Sequence, residues 1–170
     1  MKLEIALTRL SSSAETIASL VRGVSDAQAR WKPAPEEWSF LEVICHLHDE
    51  EREDFRQRVD FILHRPASDW PPINPQGWVT ERGYNQRDPV AALEAFLSER
   101  RQSLEWLKGL KEPNWASTHT HPNFGSMSAG EMLTAWVGHD HLHIRQLNQL
   151  HWQHLAQQTP PFPLEYAGGW

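Results

Sequence analysis

The sequence contains one cysteine, Cys45, in 170 residues. No intrachain disulfide can form, and zinc sites built on several cysteines are excluded. Lysine is scarce as well: Lys2, Lys32, Lys108 and Lys111 are the only lysines among sixteen basic residues. Against 22 acidic residues the formal net charge is −6, which excludes the basic face that nucleic-acid binding requires. No apolar run approaches the roughly 20 residues of a membrane span. In the opening MKLEIALTRL, Glu4 and Arg9 interrupt any signal-peptide core. The chain reads as soluble and cytoplasmic, with Cys45 reduced. Apolar alternation and turn-bounded Val/Ile runs are missing, so no strand is expected. What is present is enough chain for one domain with its own core, and a surplus of nine Trp and ten His.

Period and punctuation predict four helices. The first spans about Lys2 to Val21, with Leu3, Leu7, Leu10, Ala14, Ile17 and Val21 as its apolar stripe. Ser39 and Glu42 form a capping box that opens the second, with Trp38 and Val43 placed as a hydrophobic staple; it runs to about Leu63. Asp88-Pro89 opens the third, whose stripe is Leu93, Phe96, Leu97, Leu104 and Leu107. Ser128 and Glu131 open the fourth, with Met127 and Met132 as its staple; it runs to about His151. The expected fold is all-α, a four-helix bundle over residues 1–151 with an extended, non-helical tail from 152 to 170. That tail would pack on the domain or on a partner subunit. Two connections, 64–87 and 111–127, are long enough to be functional, for instance as a lid. A short helix around 78–84 is expected in the first.

The histidines fall into groups. At ~100° per residue, Met132, Trp136, His139, His143, Leu147 and Leu150 share one side of the fourth helix, and His141 points to water. His139 and His143 are one turn apart, so both Nε2 atoms can converge on one metal at ~2.0–2.1 Å. The same pair could be core histidines satisfied by hydrogen bonds. A third ligand would come from the second helix, where His46 and His48 compete. The apolar centre of that helix lies near Phe40, Ile44, Leu47, Glu51 and Ile62. The helical wheel alone slightly favours His48.

The segments Trp31-Lys-Pro, EEWSFLEVICHLHDEE (36–51), RGYNQRDPVAALEAFLSERR (82–101) and HPNFGSMSAGEMLTAWVGHDHLHIRQL (121–147) together resemble the DinB-like (YfiT-like) family of metalloenzymes. The resemblance covers roughly residues 30–150. It implies a crossover topology for the bundle and a homodimer. It also implies a three-histidine site: the family's first ligand falls on His46, not His48, and its second and third on His139 and His143. Gln146 matches the family's trailing Gln and would support a ligand.

Three neutral imidazoles leave a divalent metal with open positions, the pattern of a catalytic site. Zn or Ni is the first expectation, with Fe, Mn or Cu also compatible with such ligands. A metal so held can acidify water, which leads to hydrolysis, or take up a thiol, which leads to thiol transfer. Characterised relatives are thiol-dependent transferases and isomerases. The resemblance therefore favours transfer of a low-molecular-weight thiol to an electrophile. A metal-dependent hydrolase and a non-catalytic, stress-related binding bundle are the alternatives. Glu50, a turn below His46, is the candidate proton acceptor, or else a solvated member of the acidic run DEERED. Asp140 is expected on a different face from His139. Arg145 would meet an anionic substrate or form a surface ion pair. Trp136 is expected to wall the site. Trp78 and Tyr84 would either fold over its open end or form a satellite core under the loop. His119 and His121 are expected to face solvent.

Overall fold

The computed structural model describes residues 1–121 and 125–169. Residues 122–124, inside the last segment of the resemblance, and residue 170, the end of the tail, lie outside the described residues. The elements in order are α1 (Leu3–Val21), α2 (Asp26–Arg30), α3 (Phe40–Glu50), α4 (Arg56–His64), α5 (Pro75–Glu81), α6 (Pro89–Gly109), β1 (Thr118–His121), β2 (Gly125–Ser128) and α7 (Ala129–Gln158). A π-helical segment, Glu51–Phe55, joins α3 to α4, so the second bundle helix is continuous from 40 to 64. Among the described residues, no helix is long and apolar enough to cross a membrane.

The predicted start signals operate as written. Ser39 Oγ accepts from Glu42 N (3.1 Å) while Glu42 Oε2 accepts from Ser39 N (2.9 Å). Ser128 and Glu131 repeat the arrangement at α7, and Asp88 accepts from Ala91 N at α6. Each cap satisfies amide groups that the first helical turn leaves without partners.

Around the bundle, α1 packs on α6 and α7, and the α3–α4 helix packs on the same two. The circular order is therefore first, third, second, fourth. Long connections make it accessible, because consecutive helices need not be neighbours. The core has an upper cluster around Ile17, Phe40, Ile44, Leu47, Phe96 and Leu147, and a lower one around Leu10, Phe55, Ile62, Leu107 and Trp136. Trp106 and Trp115 pack on the lower cluster. Between the clusters lies a buried charge network that sequence periodicity did not announce. Arg100 of α6 is 2 % exposed. It donates to Glu51 (2.7 and 2.8 Å), to Asp140 of α7 (2.7 and 2.8 Å) and to the Leu10 carbonyl of α1 (2.8 Å). One guanidinium thus ties its helix to the other three. Trp136 Nε1 donates to the same Glu51 at 2.9 Å.

Three expectations are corrected. First, β1 and β2 form a short antiparallel hairpin in which Thr118 pairs with Ser128 and His121 with Gly125. Its strands are polar and only four residues long, so backbone pairing holds them and no apolar alternation marks them. Second, α7 does not stop at His151 but runs to Gln158. The stretch from Trp152 to Gln158 holds neither Pro nor Gly, and the first breaker is Pro160. The tail is therefore helical over its first seven residues. Third, the 64–87 connection is not an open lid. It contains α5, whose N-terminus is capped by Asn74 (3.1 Å to Gly77 N), and it is bound along the outer side of α3.

Candidate metal centre

The site lies where α3 faces α7. His46 comes from the last turns of α3, and His139 and His143 from consecutive turns of α7. Their ring nitrogens lie within 4.8 Å of one another. The His46 and His139 Nε2 atoms are 3.3 Å apart, and those of His139 and His143 are 3.1 Å apart. Two nitrogens bound tetrahedrally to one metal at about 2.05 Å would be about 3.3 Å apart. The separations are thus those of ligands sharing an ion. His143 Nδ1 donates to Gln146 Oε1 at 2.8 Å, which leaves Nε2 as the free lone pair facing the other two rings. Burial keeps all three imidazoles neutral. It pushes His46 down to about 3 and His139 to about 2, with the neighbouring histidines adding to the fall, and it lowers His143 as well. Neutral imidazole is the metal-binding form. The donor set present therefore fits a divalent ion.

Aromatic rings fix these orientations. Trp38 lies parallel to His143 (centroids 6.4 Å apart) and against His46 (4.8 Å). Phe55, at the end of the π segment, packs on His139 at 4.9 Å. Below it, Phe55 stacks on Trp136 at 6.0 Å.

Above the histidines a cavity of about 570 Å³ opens to solvent. That is the size of an ordinary small-molecule site. Glu50 lines it beside His46 and is 4 % exposed. Its Oε1 is buried and has no hydrogen-bond partner. Burial pushes the Glu50 carboxyl up to about 7, against the pull of the Arg58 guanidinium. A carboxyl in that range can accept and return a proton near neutral pH. The reading of Glu50 as a solvated acid is ruled out by its burial.

The other candidates divide. Gln146 lines the cavity and holds His143. Trp136 does not wall the cavity; it lies a layer lower, behind Phe55. Trp38, expected only as a staple, takes the wall position instead. Trp78 and Tyr84 neither fold over the open end nor form a separate satellite core: both are buried in the upper cluster itself, with the Arg82 guanidinium 4.0 Å above Trp78 and the Tyr84 hydroxyl donating to Asp49 at 2.5 Å. Only the start of α5, at Pro75 and Gln76, reaches the cavity mouth. Arg145 is exposed and does not line the cavity. His48 stands outside the site and meets Asp49 at 3.1 Å, and His141 is exposed as expected. His119 is buried, not solvent-facing. Its Nδ1 meets the Pro66 carbonyl at 2.9 Å and its ring stacks on Trp70, and it does not join the three ligands. His121 also packs against Trp70. Asp140 is fully buried on Arg100 rather than solvated.

A four-helix bundle with an internal histidine triad open to a cavity defines a class: a helical protein with a ligand set that could hold a metal ion. Residues 9–147 match the family model of the DinB superfamily, and the chain belongs to that superfamily. No curated protein sequence matches it significantly. Among solved structures it is similar to YfiT from Bacillus subtilis, described as "a probable metal-dependent hydrolase with an unusual four-helix bundle topology". The TM-score is 0.77 at 18% identity, over 88% of this chain and 85% of that one. It is also similar to a mutant of the mycothiol-dependent maleylpyruvate isomerase. There the TM-score is 0.70 at 12% identity, over 86% of this chain but only 61% of that one. At these identities the likeness shows the shared fold.

Proposed function

We propose that this protein is a metal-dependent enzyme acting on small molecules, and that it transfers a low-molecular-weight thiol to an electrophile. The observation that carries the reading is the pairing of three neutral, converging imidazoles with an unpartnered buried carboxylate in one cavity. His46, His139 and His143 would hold a divalent ion, Zn or Ni first by ligand type. When bound, the ion supplies Lewis acidity that makes a coordinated nucleophile a better acid. The chain's residues do the rest. Glu50 Oε1 takes the nucleophile's proton and later returns it to the product. Gln146 holds the His143 ring in the ligating tautomer. Trp38 and Phe55 keep the rings from turning and exclude water from one side. The thiol reading draws support from the similarity to a mycothiol-dependent enzyme. Hydrolysis is the second reading, supported by the similarity to YfiT, and it would use Glu50 in the same way.

Untagged protein loaded with Zn or Ni tests this against a panel of thiols with electrophiles, beside esters and amides. Turnover that needs both metal and thiol supports transfer. Turnover of esters or amides without thiol replaces it with hydrolysis. Full loading with no turnover of either panel contradicts an enzymatic role.

A further inference from the structure

The cavity above the histidines has a polarity of its own. Glu36 and Glu37 stand at its mouth and Glu50 at its base. Neither Lys nor Arg is among the described residues that line it. Four buried side-chain polar atoms lack a hydrogen-bond partner among the described residues, and three of them belong to residues of this cavity: His46 Nδ1, Glu50 Oε1 and Gln153 Oε1. Buried polar atoms without partners are rare in folded proteins and call for one. Their concentration here points to a ligand. The two oxygens are acceptors, that of Glu50 on α3 and that of Gln153 on α7. The amides of Gln76, Gln146, Gln149 and Gln153 can donate or accept; what the lining lacks among the described residues is a Lys or Arg to carry positive charge.

We propose that the part of the substrate seated towards the mouth of this cavity is a protonated amine. It is held by Glu36 and Glu37, while the reacting end lies at the histidines. The inference rests on the reading of the triad as a metal centre, since that reading fixes which end reacts. An ammonium supplies the positive charge that the lining lacks, with N–H donors that carboxylates accept. A substrate with a carboxylate at the same end would meet two like charges and no basic side chain. The net charge of −6 acts in the same direction at long range.

The test is calorimetry on Zn-loaded protein with three six-carbon thiols, 6-aminohexanethiol, 6-hydroxyhexanethiol and 6-mercaptohexanoate. Their far ends are too distant from sulfur to chelate the same ion. Hexylamine and hexanoate, which lack the thiol, are titrated in parallel and followed by NMR at the Trp38 indole and the Gln149 and Gln153 side-chain amides. The aminothiol is expected to bind about threefold to tenfold more tightly than the alcohol, as partly exposed ion pairs do, and the acid more weakly than the alcohol. The preference should shrink as salt rises. In the E36Q/E37Q double variant the three affinities should converge. Equal binding, or a preference for the acid, overturns the amine proposal and leaves the metal reading standing. Failure of all three thiols, with hexylamine still shifting the cavity signals and hexanoate not, supports the amine site and overturns the thiol reading. Failure of every probe overturns the amine site.

Discussion

His46 and Glu50 occupy one face of α3, and each has a buried polar atom without a protein partner. Two such atoms a turn apart are costly unless something completes them. A protonated nucleophile beside Glu50 would complete its Oε1, whereas an ion on His46 Nε2 would leave Nδ1 as an N–H that needs a separate acceptor. Replacing Glu50 by Gln should therefore leave metal content at wild-type level and lower kcat by about 10²- to 10⁴-fold, the usual contribution of a positioned acid–base group. Metal analysis and steady-state kinetics on the same preparation check both halves. Gln146→Ala removes the acceptor that sets the His143 tautomer, and a competition titration should show metal affinity falling about 10- to 100-fold. Helical phase was enough to read His139 and His143 from the sequence. On α3 it slightly favoured His48, which the structure places outside the site on Asp49. In α3, Phe40 to Leu47, Asp49 and Glu50 are all buried, so the apolar centre of the helix hardly distinguishes its faces. The family resemblance, not the wheel, pointed to His46.

Elements explain that burial. The outer side of α3 is covered by α5 and the turn after it, attached by Trp78 and Tyr84 in the upper cluster and by ion pairs. Asp49 accepts from Arg82 (2.6 Å) and Tyr84 (2.5 Å), and Glu53 takes two further bonds from Arg82, each 2.9 Å. Burial alone would raise the Asp49 carboxyl, but bonds from His48, Tyr84 and Arg82 outweigh it and hold Asp49 well below the usual carboxylate range. A carboxylate so depressed adds stability above pH ~4, and that stability is lost as pH falls through its folded value. In metal-free protein, Asp49→Asn should cost about 2 kcal/mol at pH 7 and flatten the loss of stability between pH 5 and 2.5, as read by urea titration at each pH. This cover was hidden in the sequence because its anchors, Trp78, Arg82 and Tyr84, are isolated side chains in a connection rather than a periodic stripe. The π segment was hidden for a related reason. Leu47, Glu51, Phe55 and Val59 are buried at successive four-residue steps. An ideal helix would drift by about 40° at each step, and the wider π turn absorbs the drift.

At the scale of the whole molecule, the bundle is joined through Arg100. Its partners Glu51 and Asp140 are each about 1 % exposed, so removing the guanidinium alone would leave two buried carboxyl groups without it. Arg100→Met should destabilise the protein by about 3–5 kcal/mol, and replacing all three by apolar residues should recover most of that, as measured by denaturant unfolding. The signal was available. Arg100 lies four residues after Phe96 and seven before Leu107, within the α6 stripe, and Asp140 lies seven from both Leu133 and Leu147. Reading charged residues as surface by default concealed the network. Four helices, the start signals of three of them and the ligand pair on α7 were legible because each is a local pattern. The hairpin, the buried cation and the cover over α3 depend on partners distant in sequence.

The central claim is that the bundle closes three histidines around one metal. It is tested most directly by metal stoichiometry of untagged protein after loading with Zn and gel filtration. Wild type and His48→Ala should carry one equivalent, whereas His46→Ala, His139→Ala and His143→Ala should each lose most of it while remaining folded by circular dichroism. Full occupancy in the His46→Ala variant, or loss of metal from His48→Ala alone, would contradict the account.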